Sequence, residues 1–156
     1  MDVRVIAYEA QGWGVGELWL DDGVLVNHEV PRFGRMLEPR AGEVPRLRDR
    51  LVAYFRGARA GFADVELDVE GCTPFQRAVI DALRAVPYGE TVTYGELAAL
   101  AGYPNAYRAV GTVCAGNRFP IVVPCHRVVA AESLGPYGST GTAYKRRLLA
   151  LEGVAL

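Results

Sequence analysis

Lysine is almost missing from this chain: Lys145 stands alone against sixteen arginines in 156 residues. Histidine is nearly as scarce. His28 and His126 are the only two, and neither has metal-ligand spacing, so a structural zinc site has little support. Three cysteines, Cys72, Cys114 and Cys125, form an odd set with no Cys-x-x-Cys pair. That argues against a disulfide framework and a zinc ribbon, and it fits a reducing, cytoplasmic compartment. No eighteen uncharged apolar residues run together, and Met1 to Ala10 carry Asp2 and Glu9 where a signal peptide would have an unbroken apolar stretch. The expectation is a soluble, unprocessed chain with no membrane association.

A net charge of -1 would normally argue against nucleic acid, but the charges are uneven. Residues 1–70 carry nine Arg against thirteen acids, a balance of -4, and residues 71–156 carry eight Lys plus Arg against five acids, a balance of +3. Between 101 and 150, Arg108, Arg118, Arg127, Lys145, Arg146 and Arg147 are opposed only by Glu132. That half is the one suited to a polyanion. At 51% hydrophobic, the chain is long enough for one sizeable core or two small ones.

The pattern predicts two domains, residues 1–70 and 71–156. Val3 to Tyr8 reads as a strand, and Glu17–Leu20 and Val24–Val26 flank Asp21-Asp22-Gly23, a hairpin turn signal. After a Pro, Arg and Gly loop from Pro31 to Pro45, Leu47, Leu51, Tyr54 and Phe55 follow helical spacing, with Gly57 placed to end the helix. Val65, Leu67 and Val69 alternate with acids, as in a half-exposed strand. This first part shows no chemistry. Beyond Gly71, Thr73-Pro74-Phe75-Gln76 is a capping box opening a helix with Phe75, Val79, Ala82, Leu83 and Val86 on one stripe. Thr93-Tyr94-Gly95-Glu96 is a second box. Asn105 is placed to cap a third helix whose apolar side would hold Ala106, Ala109, Val110, Val113 and Cys114.

Two short helices joined by a tight turn suggest a helix-turn-helix, whose second member usually faces DNA. Arg108, Gly111, Thr112 and Ala115 would line its open face, one cation among three small residues. A smooth helix with one long side chain suits a narrow groove and an intruding wedge, so the expectation is a helix that reads shape, not sequence.

The densest chemistry lies in Ile121-Val122-Val123-Pro124-Cys125-His126-Arg127-Val128-Val129, where a thiol, an imidazole and a guanidinium sit inside an apolar, strand-like run. A free cysteine has a pKa of about 8.5, and cationic or imidazole neighbours lower it. Pro-Cys-His-Arg therefore reads as an activated sulfur nucleophile. In a regular strand Cys125 and His126 would point to opposite faces, so either the strand breaks at Cys125 or a water bridges them. Glu152, in the last turn of a helix beginning near Ala143, opposes the macrodipole and calls for a compensating partner. A buried His126 is the natural one, which gives a nucleophile, base and orienting acid in series. Cys72, before a helix N-terminus, is the alternative nucleophile but has no nearby base.

The run Pro87–Ala98, then Arg108-Ala109-Val110-Gly111, Asn117, Pro124–Val128 and Lys145–Gly153, closely resembles the O6-alkylguanine-DNA alkyltransferases. The resemblance covers nearly all of residues 71–156 and implies an α+β fold: an N-terminal antiparallel sheet with a helix, then a mostly helical, winged-helix-like helix-turn-helix domain carrying the active-site cysteine. It implies that Cys125 accepts the alkyl group, that His126, through a water, and Glu152 keep it a thiolate, and that Tyr94 donates a proton toward guanine N3. It also implies that Arg108 fills the gap left by a flipped nucleotide and that Asn117 is a hinge. The loop Gly135–Gly141 would close over the base, with Tyr137 as a stacking wall beside Gly138 and Ser139. Cys114, Val123 and Pro124 would complete the pocket. One departure is Arg118, which follows Asn117 where the family commonly has proline.

On this reading the partner is double-stranded DNA containing O6-alkylguanine, with no obligate protein partner and no cofactor, and each molecule reacts once. A minor activity on O4-alkylthymine belongs to the same expectation. Two rivals remain at this level. A lesion sensor that holds alkylguanine would need no nucleophilic sulfur. A cysteine hydrolase or redox enzyme would need no arginine-bearing helix.

Overall fold

In the computed structural model, which describes residues 2–36 and 46–156, the alternating N-terminal sequence forms a three-stranded antiparallel sheet in the order β1-β2-β3. β1 is Val3–Ala10, β2 is Gly14–Asp21 and β3 is Val24–Arg32. Asp22 and Gly23 both have positive φ, 48° and 84°, which is the geometry a two-residue hairpin with the sheet's own twist demands. Helix α1, Arg46–Phe55, buries Leu47, Leu51, Tyr54 and Phe55, the four residues picked out by their spacing. Each such side chain contributes about 1.5–3 kcal/mol on burial.

Two expectations for this region fail. Pro31 lies in β3, not in a loop, and the rest of the expected loop, 37–45, lies outside the described residues. The alternating segment 64–70 is not a strand: it makes a single bridge, Leu67 to Leu25, although Val65 and Leu67 are buried as the alternation requires. Burial of every second side chain needs only an extended chain, not a paired one.

The second part is mostly helical. Helix α2 is Pro74–Arg84, β4 is Val92–Thr93, α3 is Tyr94–Leu100, α4 is Tyr107–Ala115, β5 is Val128–Val129 and α5 is Thr142–Leu151. Both capping boxes form, with reciprocal bonds between Thr73 and Gln76 and between Thr93 and Glu96. β4 and β5 pair in parallel. Asn105 does not cap α4. It takes φ +75°, a left-handed conformation that asparagine tolerates, and the N-cap position falls to Ala106 with no side-chain bond. Ala109, expected on the apolar side of α4, is exposed.

The chain divides into two compact units, and the division is not a simple cut after residue 70. One unit is the chain up to Asp68 plus Arg118–Val122; the other is Val69–Asn117 plus Val123–Leu156. Among the described residues no helix is long and apolar enough to cross a membrane.

Candidate active site

The apolar run around Cys125 does not form a strand until Val128. Proline fixes φ near -65°, and Pro124, at φ -81° and ψ 65°, sits in an inverse γ-turn closed by the Cys125 N–H donating to Val123 O at 2.8 Å. Cys125–Arg127 then make one 3₁₀ turn, with Arg127 N–H donating to Pro124 O. The β-branched run gives way because proline supplies the turn. Cys125, His126 and Arg127 are all buried.

Asn117 Nδ2 donates both to Val123 O, at 2.8 Å, and to Cys125 Sγ, at 3.1 Å, so one side chain clamps the turn and touches the sulfur. Burial pushes the Cys125 thiol up, against the opposing pull of the Asn117 bond, the Lys145 charge, the residue's own backbone N–H and a bond from the Tyr137 hydroxyl. This corrects the expectation of a depressed pKa. The sequence shows the neighbours but not the loss of water, and the loss of water is larger.

The two residues that follow Cys125 belong to a buried charge cluster centred on Glu152. Its carboxylate accepts from His126 Nε2 at 2.5 Å, Arg127 Nε at 2.8 Å, Arg127 Nη2 at 3.1 Å and the Gly89 N–H at 2.9 Å. Burial raises the carboxyl, and the bonds from His126, Arg127 and Gly89 outweigh it, holding Glu152 well below the usual carboxylate range. An ionised carboxylate only accepts, so His126 Nε2 carries the hydrogen and Nδ1 carries the lone pair. Burial also keeps His126 below its ordinary value despite Glu152, with Arg127 and Lys145 adding to the depression, so the ring is neutral. Arg127 is held further by Val86 O, at 2.8 Å, and lies 5.7 Å from the Tyr88 ring.

Two of the six cations read as facing a polyanion are therefore internal. Arg127 is one. Lys145, at 0% exposure, is the other: its Nζ donates to Val128 O and Pro136 O at 2.5 and 3.1 Å and lies 5.9 Å from the Tyr94 ring. Sequence reasoning missed both roles. The signal was present for Arg127, since a guanidinium inside an apolar run requires a buried carboxylate. Nothing in Tyr144-Lys145-Arg146-Arg147 separates the inward cation from the outward ones.

Tyr94 opens α3 and is half-buried. Burial pushes its phenol up to about 12, with the nearby Cys114 and Cys125 sulfurs adding to the rise, so it keeps its proton. Gly135 lies against it: a Cβ there would sit 3.3 Å from Ala130 N and 3.4 Å from Tyr94 Cε2 and Oη, at a φ of +73° that disfavours any side chain. Gly111 on α4 is half-buried, and a Cβ on it would stand 4.0 Å from the same ring. Tyr137 is buried, edge-on to His126 and stacked on Tyr144, while Gly138 and Ser139 beside it are exposed. Cys114 is half-buried, its thiol pushed up to about 12 by burial and then by Cys125. Val123 and Pro124 are buried in the turn.

On α4, Arg108, Thr112 and Ala115 are exposed, and Thr112 Oγ1 folds back onto Arg108 O. Cys72 lies before α2, away from this cluster in every bond described. Among the described residues no three His, Cys, Asp or Glu side chains gather to hold a metal ion.

A family model for the DNA-binding domain of 6-O-methylguanine DNA methyltransferase matches residues 74–154. The methylated-DNA–protein-cysteine methyltransferase of Mycolicibacterium paratuberculosis is 48% identical over 128 residues, 80% of this chain and 73% of that one. Its counterpart from Methanothermobacter thermautotrophicus is 34% identical over 145 residues, 91% and 81% of the two chains. The crystal structure of Mycobacterium tuberculosis O6-methylguanine methyltransferase matches with a TM-score of 0.82 at 37% identity, over 99% of this chain and 96% of that one. The same organism's protein in complex with DNA gives 0.77 at 39%, over 96% and 92%. With a buried cysteine beside a His–Glu pair and a helix-turn-helix in the matched segment, the chain belongs to the methylated-DNA–protein-cysteine methyltransferases, the enzymes of O6-methylguanine repair.

Proposed function

We propose that this protein takes the alkyl group from O6 of guanine in double-stranded DNA onto Cys125 Sγ, once per molecule, after the damaged nucleotide has been turned out of the duplex. The observation that carries the reading is the cluster at Cys125: the sulfur held by Asn117 Nδ2 at 3.1 Å, next to a neutral His126 fixed by Glu152. The thiol proton passes to His126 Nδ1, directly or through one water, and the imidazolium is stabilised by the Glu152 carboxylate. The sulfur lone pair forms the S–C bond as the C–O6 bond breaks. The electrons of that bond return to the purine, which takes a proton at N3 from Tyr94 Oη, and the His126 proton restores the phenol through solvent. The sum is a thioether and an unmodified guanine.

Because no second nucleophile releases the thioether, the reaction stops after one turnover. Extrusion of the base costs a few kcal/mol, which contacts with the duplex supply. The exposed face of α4 fits this task, with Arg108 as the long side chain occupying the vacated position and Gly111, Thr112 and Ala115 allowing close approach. Tyr137, Gly138, Ser139, Cys114, Val123 and Pro124 form the surroundings of the base. O4-alkylthymine, with the same exocyclic ether, is a minor substrate.

Incubation with a duplex containing O6-methylguanine, followed by peptide mass mapping, tests the reading. The expected product is one methyl group on the Cys125 peptide in at most one equivalent, abolished in Cys125→Ser. Methyl on Cys72 or Cys114, repeated turnover, or loss of the lesion with the Cys125→Ser protein overturns it.

A further inference from the structure

The N-terminal unit carries a hydrogen-bond relay that the reaction above does not use. Tyr8 Oη donates to His28 Nε2 at 2.6 Å, and His28 Nδ1 donates to Pro120 O at 2.6 Å. The carbonyl can only accept, which fixes the His28 tautomer. The backbone N–H of His28 also donates to Arg118 O at 2.8 Å. Gly16, opposite Tyr8 across the β1–β2 pair, makes the relay possible, since a Cβ there would lie 2.5 Å from the Tyr8 ring. Tyr8 and His28 are buried.

The relay holds a short, strained piece of chain. Arg118–Val122 belong with the N-terminal unit, while Asn117 and Val123 on either side belong with the other. Within the piece, Ile121 is a buried β-branched residue at φ +72°, a strained conformation that persists only where the surroundings impose it. The surroundings here are His28 on Pro120 and Arg118, and the Arg118 guanidinium, which donates to Asp68 O at 2.8 Å and Val26 O at 3.2 Å and lies 4.9 Å from the Phe119 ring. Arg118 thus ties down by hydrogen bonds a position where proline would have stiffened the backbone.

We propose that His28, with Tyr8 and Arg118, is a positioning group for alkyl transfer: it sets the conformation of Arg118–Val122 and thereby the Asn117–Val123 clamp that aims Cys125 Sγ. Asn117 and Val123 flank this piece directly in the chain, joined by the 2.8 Å bond from Asn117 Nδ2, and the same Nδ2 touches the sulfur. A relaxed Ile121 moves one end against the other and displaces the donor from Sγ. Misplacement of a reacting group by about 1 Å costs up to about a hundredfold in rate.

The inference rests on Cys125 being the acceptor, and the test separates the two. Full-length wild type and His28→Leu, His28→Asn, Tyr8→Phe and Arg118→Ala proteins react in a single turnover with an O6-methylguanine duplex and, separately, with the free O6-methylguanine base, with the methylated cysteine mapped in each. His28→Leu is expected to slow transfer about tenfold or more with both donors. His28→Asn, whose Nδ2 takes the place of Nδ1 as donor to Pro120 O, recovers most of the rate, a rescue that loss of packing alone would not give. Tyr8→Phe, which keeps the bond to Pro120, loses only a few-fold. A folded His28→Leu protein that transfers at the wild-type rate overturns the inference, as does a folded His28→Asn protein no faster than His28→Leu. If His28→Leu does not fold, Arg118→Ala decides: slowed transfer from the free base supports the inference, and wild-type transfer overturns it. Methyl on a cysteine other than Cys125 in the wild type refutes the proposed function instead.

Discussion

Replacing Glu152 by Gln tests the charge cluster most directly, because it changes one atom and leaves the shape. The carboxylate takes four hydrogen bonds, from His126, twice from Arg127 and from Gly89. An amide offers one accepting oxygen and one donating nitrogen, so one side of the group turns from acceptor to donor: against Arg127 or Gly89, which only donate, a bond is lost, and against His126 the ring is driven to its other tautomer. The guanidinium of Arg127 then stays buried with no counter-charge. Breaking one side of a buried pair costs about 3–5 kcal/mol, and for a chain of this length that lowers the thermal midpoint by on the order of 10 °C. His126 loses its carboxylate in the same step, and with it the stabilisation of the imidazolium. Glu152→Gln should therefore show both the lower midpoint and slow methyl transfer, measured by thermal denaturation and single-turnover kinetics. Adding Arg127→Met removes the stranded charge and should restore much of the midpoint but not the rate. The reasoning fails if Glu152→Gln lowers stability by less than about 1 kcal/mol, or if the double variant is less stable than the single by the full cost of a second lesion.

Acid should weaken the fold in a window set by the buried histidines. Burial holds His28 down to about 4 from 6.5, so above pH 6.5 its contribution is fully present, and as pH falls through 6.5 toward 4 the unfolded chain takes up the proton first and about 3 kcal/mol is lost. His126, also lowered, adds to the same loss, and denaturant melts of His28→Gln should be flatter between these limits than those of the wild type. Gly135→Ala should slow transfer and lower stability together, by about 1–3 kcal/mol in urea melts, because the methyl meets Tyr94 and Ala130 at a φ of +73°. Arg108→Ala should leave the stability within about 0.5 kcal/mol of wild type and slow repair in duplex DNA far more than reaction with the free base, since the side chain is exposed. Equal slowing with both donors would place Arg108 in the chemistry and not in the groove.

Local rules made much of this fold readable. The capping boxes at Thr73 and Thr93 each have partners three residues apart, and the α1 core positions repeat every three or four residues, so the information lies within one or two helical turns. Where the decisive partner is distant, the residues misled. Ile121–Val129 reads as a strand because its β-branched composition outweighs a single proline, and the 3₁₀ turn is fixed by Asn117 from the end of the preceding helix. Segment 64–70 alternates as a strand does, yet only Leu67 finds a neighbour to pair with. Lys145 reads as surface because its acceptors, Val128 O and Pro136 O, are backbone atoms that no side-chain pattern announces. His28 was passed over for the same reason: its partners are a tyrosine twenty residues before it and a carbonyl ninety-two residues after.

The raised thiol pKa changes what the cluster around Cys125 is for. A sulfur ionised at rest would react with any small electrophile that reached it. Here the resting state is neutral at both ends, a thiol pushed up by burial and an imidazole pushed down by it, set among Glu152, Arg127 and Lys145, the last itself held below its ordinary value by burial. Moving one proton from Sγ to His126 creates an anion and a cation where the opposite charges already wait: Lys145 and the Asn117 amide for the sulfur, Glu152 for the imidazolium. The cost of that proton transfer is therefore mostly desolvation, and in the proposed reaction it would fall as negative charge leaves the sulfur for the purine. On the proposed reaction, a nucleophile so arranged gains most from a donor whose departing anion meets a proton donor, as a purine with the protonated Tyr94 at its edge would.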